Sequence, residues 1–483
     1  MPTTQAKFLT GNLMRHIVVM STTSAVGIMA IFLVDLADMF FISLLGETEL
    51  AAAIGFAGTL VFFSTSAAIG CSIAMGALMS RSIGAGEKGT IGSIYTSNIV
   101  FALLISSAIA LVMLLNLDFL LALLGAEAHT AEVAKDYLYI LMPSSPFVAV
   151  SMSCGAAMRA VGDARRAMIA TLIGAGVNAV FDPLLIFGLG LGIQGAAIAS
   201  VIARAGMLVY SVYVLTKHYQ MKPVLRLSAL RGHLTAISSI AFPAMLANTA
   251  TPIGNAFVTR AIAPFGEEAV AGYAVIGRIL PVAFALIFAL SGAIGPIIGQ
   301  NFGAKRFDRV EQALKDSLVF MTLYCIVTCI SLYLLQDVLI AMFNLGQDAA
   351  VMVNVFCTFV ALSFIFNGAL FIANAAFNNL NLPSRATMLN MGKATLGTLP
   401  FIWFGAQWGG APGVLVGQAV GAVLFGILGI AWLLSELRQV RKQTVCEQSE
   451  LVLEPAIPLT PFCSSRAYHA DDGLEEAEQT PAP

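Results

Sequence analysis

Three aspartates, Asp35, Asp38 and Asp182, lie inside long apolar stretches of a chain that is otherwise almost stripped of charge within such stretches. A carboxylate within a bilayer costs at least about 2.5 to 3.5 kcal/mol on insertion scales, so its default place is an ion or proton site facing the protein interior. Asp35 and Asp38 are three apart and Asn178 and Asp182 four apart, so on helices each pair shares a face. Carboxylates gathered in one low-dielectric cavity cannot all stay ionised, so at least one must hold an exchangeable proton. That chemistry points to a transporter coupled to a cation. A structural alternative exists for Asp182, which precedes Pro183: an Asp-Pro pair can end a helix while the side chain bonds the freed backbone groups.

The composition says what must surround these residues. Of 483 residues, 58% are hydrophobic and 11% charged, where soluble domains carry about 25% charged residues, and the mean hydropathy is +0.86. A formal net charge of -2 supplies no basic stripe for nucleic acid. The cysteines at 71, 154, 325, 329, 357, 446 and 463 show no CxxC spacing and read as reduced packing residues rather than disulfides or metal ligands. No HExxH, P-loop or dinucleotide fingerprint occurs, and no nucleophile, metal or cofactor constellation marks an enzyme. Residues 1–12 lack a signal-peptide pattern, and the apolar run from Ile17 is long enough to be a retained span.

Apolar stretches able to supply about 20 helical residues number twelve: 17–45, 52–80, 93–116, 134–157, 166–189, 195–216, 234–262, 269–298, 316–336, 350–377, 386–407 and 412–435. The fold class is therefore an all-α polytopic membrane protein. Alternate connections carry the Lys and Arg, as with Arg81 and Lys88, or Lys305, Arg306 and Arg309, while the opposite ones carry pairs such as Glu47 and Glu49. By the positive-inside rule both termini are cytoplasmic, in a bacterial inner membrane. The chain divides into an N-terminal lobe at 1–216, a cytoplasmic linker at 217–233, a C-terminal lobe at 234–437 and a tail at 438–483 whose polar, acidic text is predicted to be disordered.

The two lobes repeat one another. LLGETELAAAIG at 44–55 answers PFGEEAVAGYAV at 264–275, and IGAGEKG at 83–89 answers FGAKRFD at 302–308. Six spans per half is an even number, so the halves are parallel six-helix bundles, related by a pseudo-two-fold axis along the membrane normal with a substrate path between them.

LADMFFISLLGETELAAAIG, GAGEKG and above all NAVFDPLLIFGLGLGIQGAAIAS at 178–200 resemble the signatures of the MATE (multidrug and toxic compound extrusion) transporters, over about residues 10–440. The resemblance implies twelve helices in two lobes and export of cationic or amphipathic compounds driven by H+ or Na+ entry. One branch of that family binds Na+ through a Glu on helix 7 and an Asp on helix 10. Here 234–262 and 351–377 contain neither, and at the repeat offset Asp35 answers Asn255 and Asp38 answers Val258. The intramembrane acids are confined to the N-terminal lobe, as in the DinF-like branch. By that resemblance Asp38 is the helix 1 acid, Asn178 and Asp182 are the helix 5 pair, Ser200 stands where the family has a Thr, and Tyr137 is the helix 4 tyrosine; Asp35 is an additional titratable group.

Met29, Phe56, Phe147 and Met152, with Asn255, are candidates to line a cavity that adapts to flat cations. Arg204 and Arg278, also within spans, read as ion-paired or snorkelling. The leading expectation is a monomeric proton-coupled multidrug antiporter with small organic cationic or amphipathic substrates and lipid neighbours, needing no cofactor and no resident metal. A Na+-coupled version, with Na+ at the N-lobe cluster, is the nearest alternative. A lipid-linked sugar flippase is another, and would line its path with basic residues to hold phosphate.

Overall fold

The structure, a computed structural model, describes residues 6–43, 48–221, 224, 227–343 and 345–453. Among the described residues all regular structure is helical. In chain order α1 is Leu13–Ser43, α2 Thr48–Gly84 and α3 Lys88–Leu115; α4 is Ala128–Leu141 continued after a 3-10 turn by Ser145–Ala160; α5 is Ala164–Pro183 and α6 Gly192–Tyr213. The second half gives α7 as Leu227–Ile262, α8 as Glu267–Ala283 with Ala285–Gly303, α9 as Phe307–Met342, and α10 as Gln347–Thr358 with Phe364–Asn379. A helical run at Leu399–Leu453 holds non-helical angles at Gly410, φ 61° and ψ -146°, so 399–409 completes α11, which begins as Pro383–Ala394, and α12 starts at 411. Glycine suits that corner because a Cβ disfavours positive φ.

Ten of the described stretches are long and apolar enough to cross a membrane. One of them, Pro383–Arg441, contains both α11 and α12, and α7 falls outside the ten because Ser, Thr and Asn dilute its hydropathy. With these two the twelve expected spans are accounted for. The chain packs as one compact unit over Met1–Ala431; a second unit, Trp432–Pro483, is described as helix to Leu453, where Trp432 Nε1 donates to Glu436 Oε1 at 3.1 Å. The expected linker at 217–233 is described only in part, with Leu227 already opening α7, and tail residues 454–483 lie outside the described residues.

The repeat is visible in the packing at one end of the molecule. A Cβ added to Gly84 would collide with the Gln300 carbonyl, and one added to Gly303 would collide with the Arg81 carbonyl. Gly84 and Gly303, like Arg81 and Gln300, are 219 apart, so each collision is the symmetry mate of the other. The ends of α2 and α8 cross here at backbone contact, as small residues permit in membrane bundles. Gly162 and Asn381, again 219 apart, both take positive φ after α4 and α10, at 84° and 66°.

A short 3-10 segment, Lys7–Leu9, fastens this end across the two halves. Phe8 is fully buried; its amide donates to Gln300 Oε1 at 2.9 Å, and its carbonyl accepts from Asn301 Nδ2 at 3.2 Å and Arg309 Nη2 at 3.0 Å. Gln300 Nε2 donates onward to the Ala160 carbonyl at 2.7 Å, Arg306 Nη1 to the Leu9 carbonyl at 2.8 Å, and Lys7 Nζ to the Gly162 carbonyl at 3.1 Å. Backbone contact and these bonds close the two halves on each other at this end.

The turn from α4 to α5 is built on Asp163, which caps α5 by accepting from the Arg166 amide at 3.0 Å and also accepts from the Tyr219 hydroxyl at 2.6 Å. Burial works to raise the Asp163 carboxyl, but the bonds from Tyr219 and from the Arg166 amide and guanidinium outweigh it and hold the group below the usual carboxylate range. Tyr219, half-buried and donating to that carboxylate, is pushed up.

Candidate functional site

A cavity of about 590 Å³ opens among α1, α2, α4, α5, α6 and the second part of α8. Pockets of roughly 300 to 1,000 Å³ take drug-sized ligands. Asp35 and Asp38 line it from α1, Tyr137 and Met152 from α4, Asn178 from α5, and Ser200 from α6. Six of the residues singled out from sequence are thereby brought together.

Helix geometry decides which neighbours share that wall. On α1 the lining residues Ser24, Ile28, Ile31, Asp35 and Asp38 recur every three or four positions, one stripe of the helix. Met29 falls off the stripe and is 40% exposed elsewhere. Phe56 does not line the cavity either; it packs against an apolar cluster that includes Leu60, Leu117, Leu121 and Leu138. Phe147 and Asn255 also lie outside the lining, and Asn255 is exposed.

Asn178 Nδ2 donates to both oxygens of Asp38, at 3.3 and 3.1 Å, and so ties α5 to α1. One turn on, Asp182 is fully buried next to Asp38. Neither Asp182 oxygen, nor Asn178 Oδ1, has a hydrogen-bond partner. The Asp-Pro pair does end the α-helix, since Leu184–Gly188 continues as a π turn, but the Asp182 carboxyl is not spent on the freed backbone. Tyr137 stands beside Ser200 and Arg204, with Asp38 and Asp182 close by. The cluster is thus rich in buried acceptors and short of donors. Unpaired buried acceptors are costly, and a cation or a proton delivered to them removes the cost. Among the described residues, no group of three or more His, Cys, Asp or Glu side chains forms a metal site.

Two arginines share the cavity wall. Arg204 Nη1 donates to the Leu141 carbonyl at 3.3 Å and Ser144 Oγ at 2.9 Å, which braces α6 against the bend in α4 and agrees with a structural role. Arg159 lines the cavity from the last turn of α4. Its position beside Gly162 and Asp163 conceals that role, because flanking cations are the norm at span ends. Arg278 is exposed on α8.

A family model for MatE matches residues 24–184 and again 243–404, two copies whose starts are 219 residues apart. The chain belongs to the MatE family. It is a multi-pass membrane transporter and not an enzyme, and its family exports small organic substrates by ion-coupled antiport without a cofactor. Among curated relatives it is 28% identical to a FAD transporter of Shewanella oneidensis, over 84% of this chain and 91% of that protein. It is 25% identical to the multidrug export protein MepA of Staphylococcus aureus, over 69% and 74% of the two chains. Among solved structures, the Vibrio cholerae MATE transporter VcmN superposes with a TM-score of 0.84 at 25% identity, covering 88% of this chain and 97% of that one. A MATE protein in its straight conformation superposes with a TM-score of 0.85 at 21% identity, covering 91% and 99%. These MATE structures carry twelve helices in two bundles, the fold class expected from the sequence.

Proposed function

We propose that this MatE transporter exports amphipathic organic compounds, cationic ones among them, in exchange for protons held on the N-lobe carboxyls. The observation that carries this reading is the buried, donor-poor cluster of Asp38, Asn178 and Asp182 beside the cavity, with Asp35 on the same wall. Proton loss from the cluster favours the conformer that accepts the compound, and proton gain favours its release. Ser200 and Tyr137 position the cluster, and Met152 offers a polarizable contact to the compound's ring. The two lobes, 1–216 and 234–437, rock about the axis that relates α2 to α8, and both termini face the cytoplasm, as the Lys and Arg of alternate connections dictate. MepA, named as a multidrug exporter, supports the breadth of cargo.

The same oxygens can ligate Na+, so the test must separate the two cations. Purified protein in a weakly buffered detergent solution with a pH indicator is titrated with ethidium at constant Na+. Release of protons on ethidium binding, lost in an Asp38→Asn/Asp182→Asn double variant that still binds ethidium, is the expected result. Binding without proton release, with affinity that responds to added Na+ instead, would replace the proton with sodium.

A further inference from the structure

The cavity has a second chemical end. Its lining on α5 runs from Ala167 to Asn178, eleven residues or about 16 Å of helix. Asn178 belongs to the acidic cluster; Ala167 packs with Ala160 near the closed end, where Arg159 enters.

Arg159 lies on the cavity wall without an acceptor among the described residues. A Cβ on Gly155, one turn earlier on α4, would stand 3.5 Å from Arg159 Nη1, and one on Gly292 of α8 would stand 4.0 Å from Nε. Both are ordinary contact distances and both glycines line the cavity, so the guanidinium lies along the cavity wall. No hydrogen bond or ion pair holds Arg159 among the described residues, whereas Arg204, on the same cavity, is anchored twice. Nor does the fold demand an arginine there: at the offset of 219 that relates Gly162 to Asn381, Arg159 answers Asn378, so the equivalent turn of α10 forms without a cation. A planar five-donor fork of this kind, half-buried and unpaired, is suited to a carboxylate or phosphate. In the same cavity Met168, Phe288 and Met152 supply a soft apolar lining.

We propose that the cavity binds an aromatic compound carrying a phosphate or carboxylate group, with the anion on Arg159 and the ring against Met152, Met168 and Phe288. This rests on the reading that this cavity is the transport cavity. It makes the substrate class zwitterionic or anionic amphiphiles as well as cations, with opposite ends of one chamber serving the two charges. Arg159 also precedes Ala160, whose carbonyl Gln300 holds in the closed end. An anion seated there therefore lies one residue from the contact that must break for the opposite side to open.

The test uses the full chain in lipid nanodiscs and a matched pair of fluorescent probes, riboflavin and riboflavin 5′-phosphate, with binding read by quenching at fixed ionic strength. A charge-assisted contact of this kind predicts that the wild type prefers the phosphorylated probe by at least about tenfold. Arg159→Gln should bring that ratio close to one, Arg159→Lys should keep part of it, and Arg15→Gln, an exposed arginine outside the cavity, should keep it all. Equal affinities in the wild type, or a ratio unchanged in a folded Arg159→Gln protein, would overturn the proposal. Equal wild-type affinities overturn the proposal even if a variant fails to fold. Ethidium-triggered proton release measured on the same preparation keeps the two readings apart: its absence beside an Arg159-dependent preference would overturn the proton coupling and leave the anion seat standing.

Discussion

Asp182 is a buried carboxyl whose oxygens have no donor, joined through Asp38 and Asn178 to the wall of a cavity. If that carboxyl were structural, Asn at 182 would serve as well, because amide and carboxyl are alike in size and the freed backbone is not its partner. If it carries the coupling proton, Asp182→Asn keeps the fold and loses the coupling. Coupling free energies between linked sites are typically worth about 5- to 150-fold, and Asp182→Asn and Asp38→Asn are each expected to lower gradient-driven ethidium export within that range, with melting temperatures close to wild type. Activity equal to wild type in both would remove the carboxyls from the mechanism. These acids were legible in the sequence, since charge inside an apolar run is conspicuous. Arg159 was not: it stands at the end of a span, where cations are ordinary, and only its place on the cavity wall and its lack of a hydrogen-bond partner among the described residues set it apart. Met29 and Phe56 failed as lining candidates for the converse reason, since composition nominates a soft side chain but helical phase decides what it faces.

At the scale of elements, α5 carries Asn178 and Asp182, so whatever fixes its start fixes the site. Its cap is Asp163, held ionised by Tyr219 and Arg166. Loss of a side-chain cap costs typically about 1 kcal/mol, so Asp163→Ala should lower stability by about that amount, measured as a shift in thermal or denaturant midpoint. The carboxyl lies below its unfolded value of about 3.9. Its stabilisation is therefore complete above that pH and lost as pH falls through the lower folded value. The wild type should lose more stability than Asp163→Ala between pH 5 and 3, whereas parallel curves would mean that the cap does not titrate. Span number was readable from hydropathy, as was the gap between 386–407 and 412–435 into which Gly410 falls. The helix end at Pro183 was readable from the Asp-Pro pair, but the π form of the turn after it and the break in α10 before Phe364 were not.

The whole molecule is two copies of one plan joined at a crossing of α2 and α8. Because Gly84 and Gly303 meet backbone carbonyls of the opposite half, Gly84→Ala and Gly303→Ala should both prevent the closed end from forming, and they should do so alike. Accessibility of a cysteine placed at Ser80 to a membrane-impermeant thiol reagent, in a background in which the native cysteines are replaced, would read this out. Unequal effects would show that the two sides are not mechanically equivalent. The repeat was visible in sequence through GAGEKG and FGAKRFD, but its meaning as a point of contact depends on Gln300 and Arg81 facing the opposing glycines. Phe8 was hidden altogether, since a short segment before the first span shows no periodicity. Its complete burial predicts that Phe8→Ala destabilises the closed state by about 3 to 5 kcal/mol, seen as faster labelling at the same cysteine.

These scales meet in the assignment of cation coupling to the N-terminal half. It is tested most directly in proteoliposomes that hold the full chain and receive either a pH gradient without Na+ or a Na+ gradient at uniform pH, with ethidium transport followed by fluorescence. Transport driven by the pH gradient alone, and abolished in Asp38→Asn/Asp182→Asn, is the outcome expected from the buried acceptor cluster. Transport driven by Na+ at uniform pH, or surviving in the double variant, would contradict it.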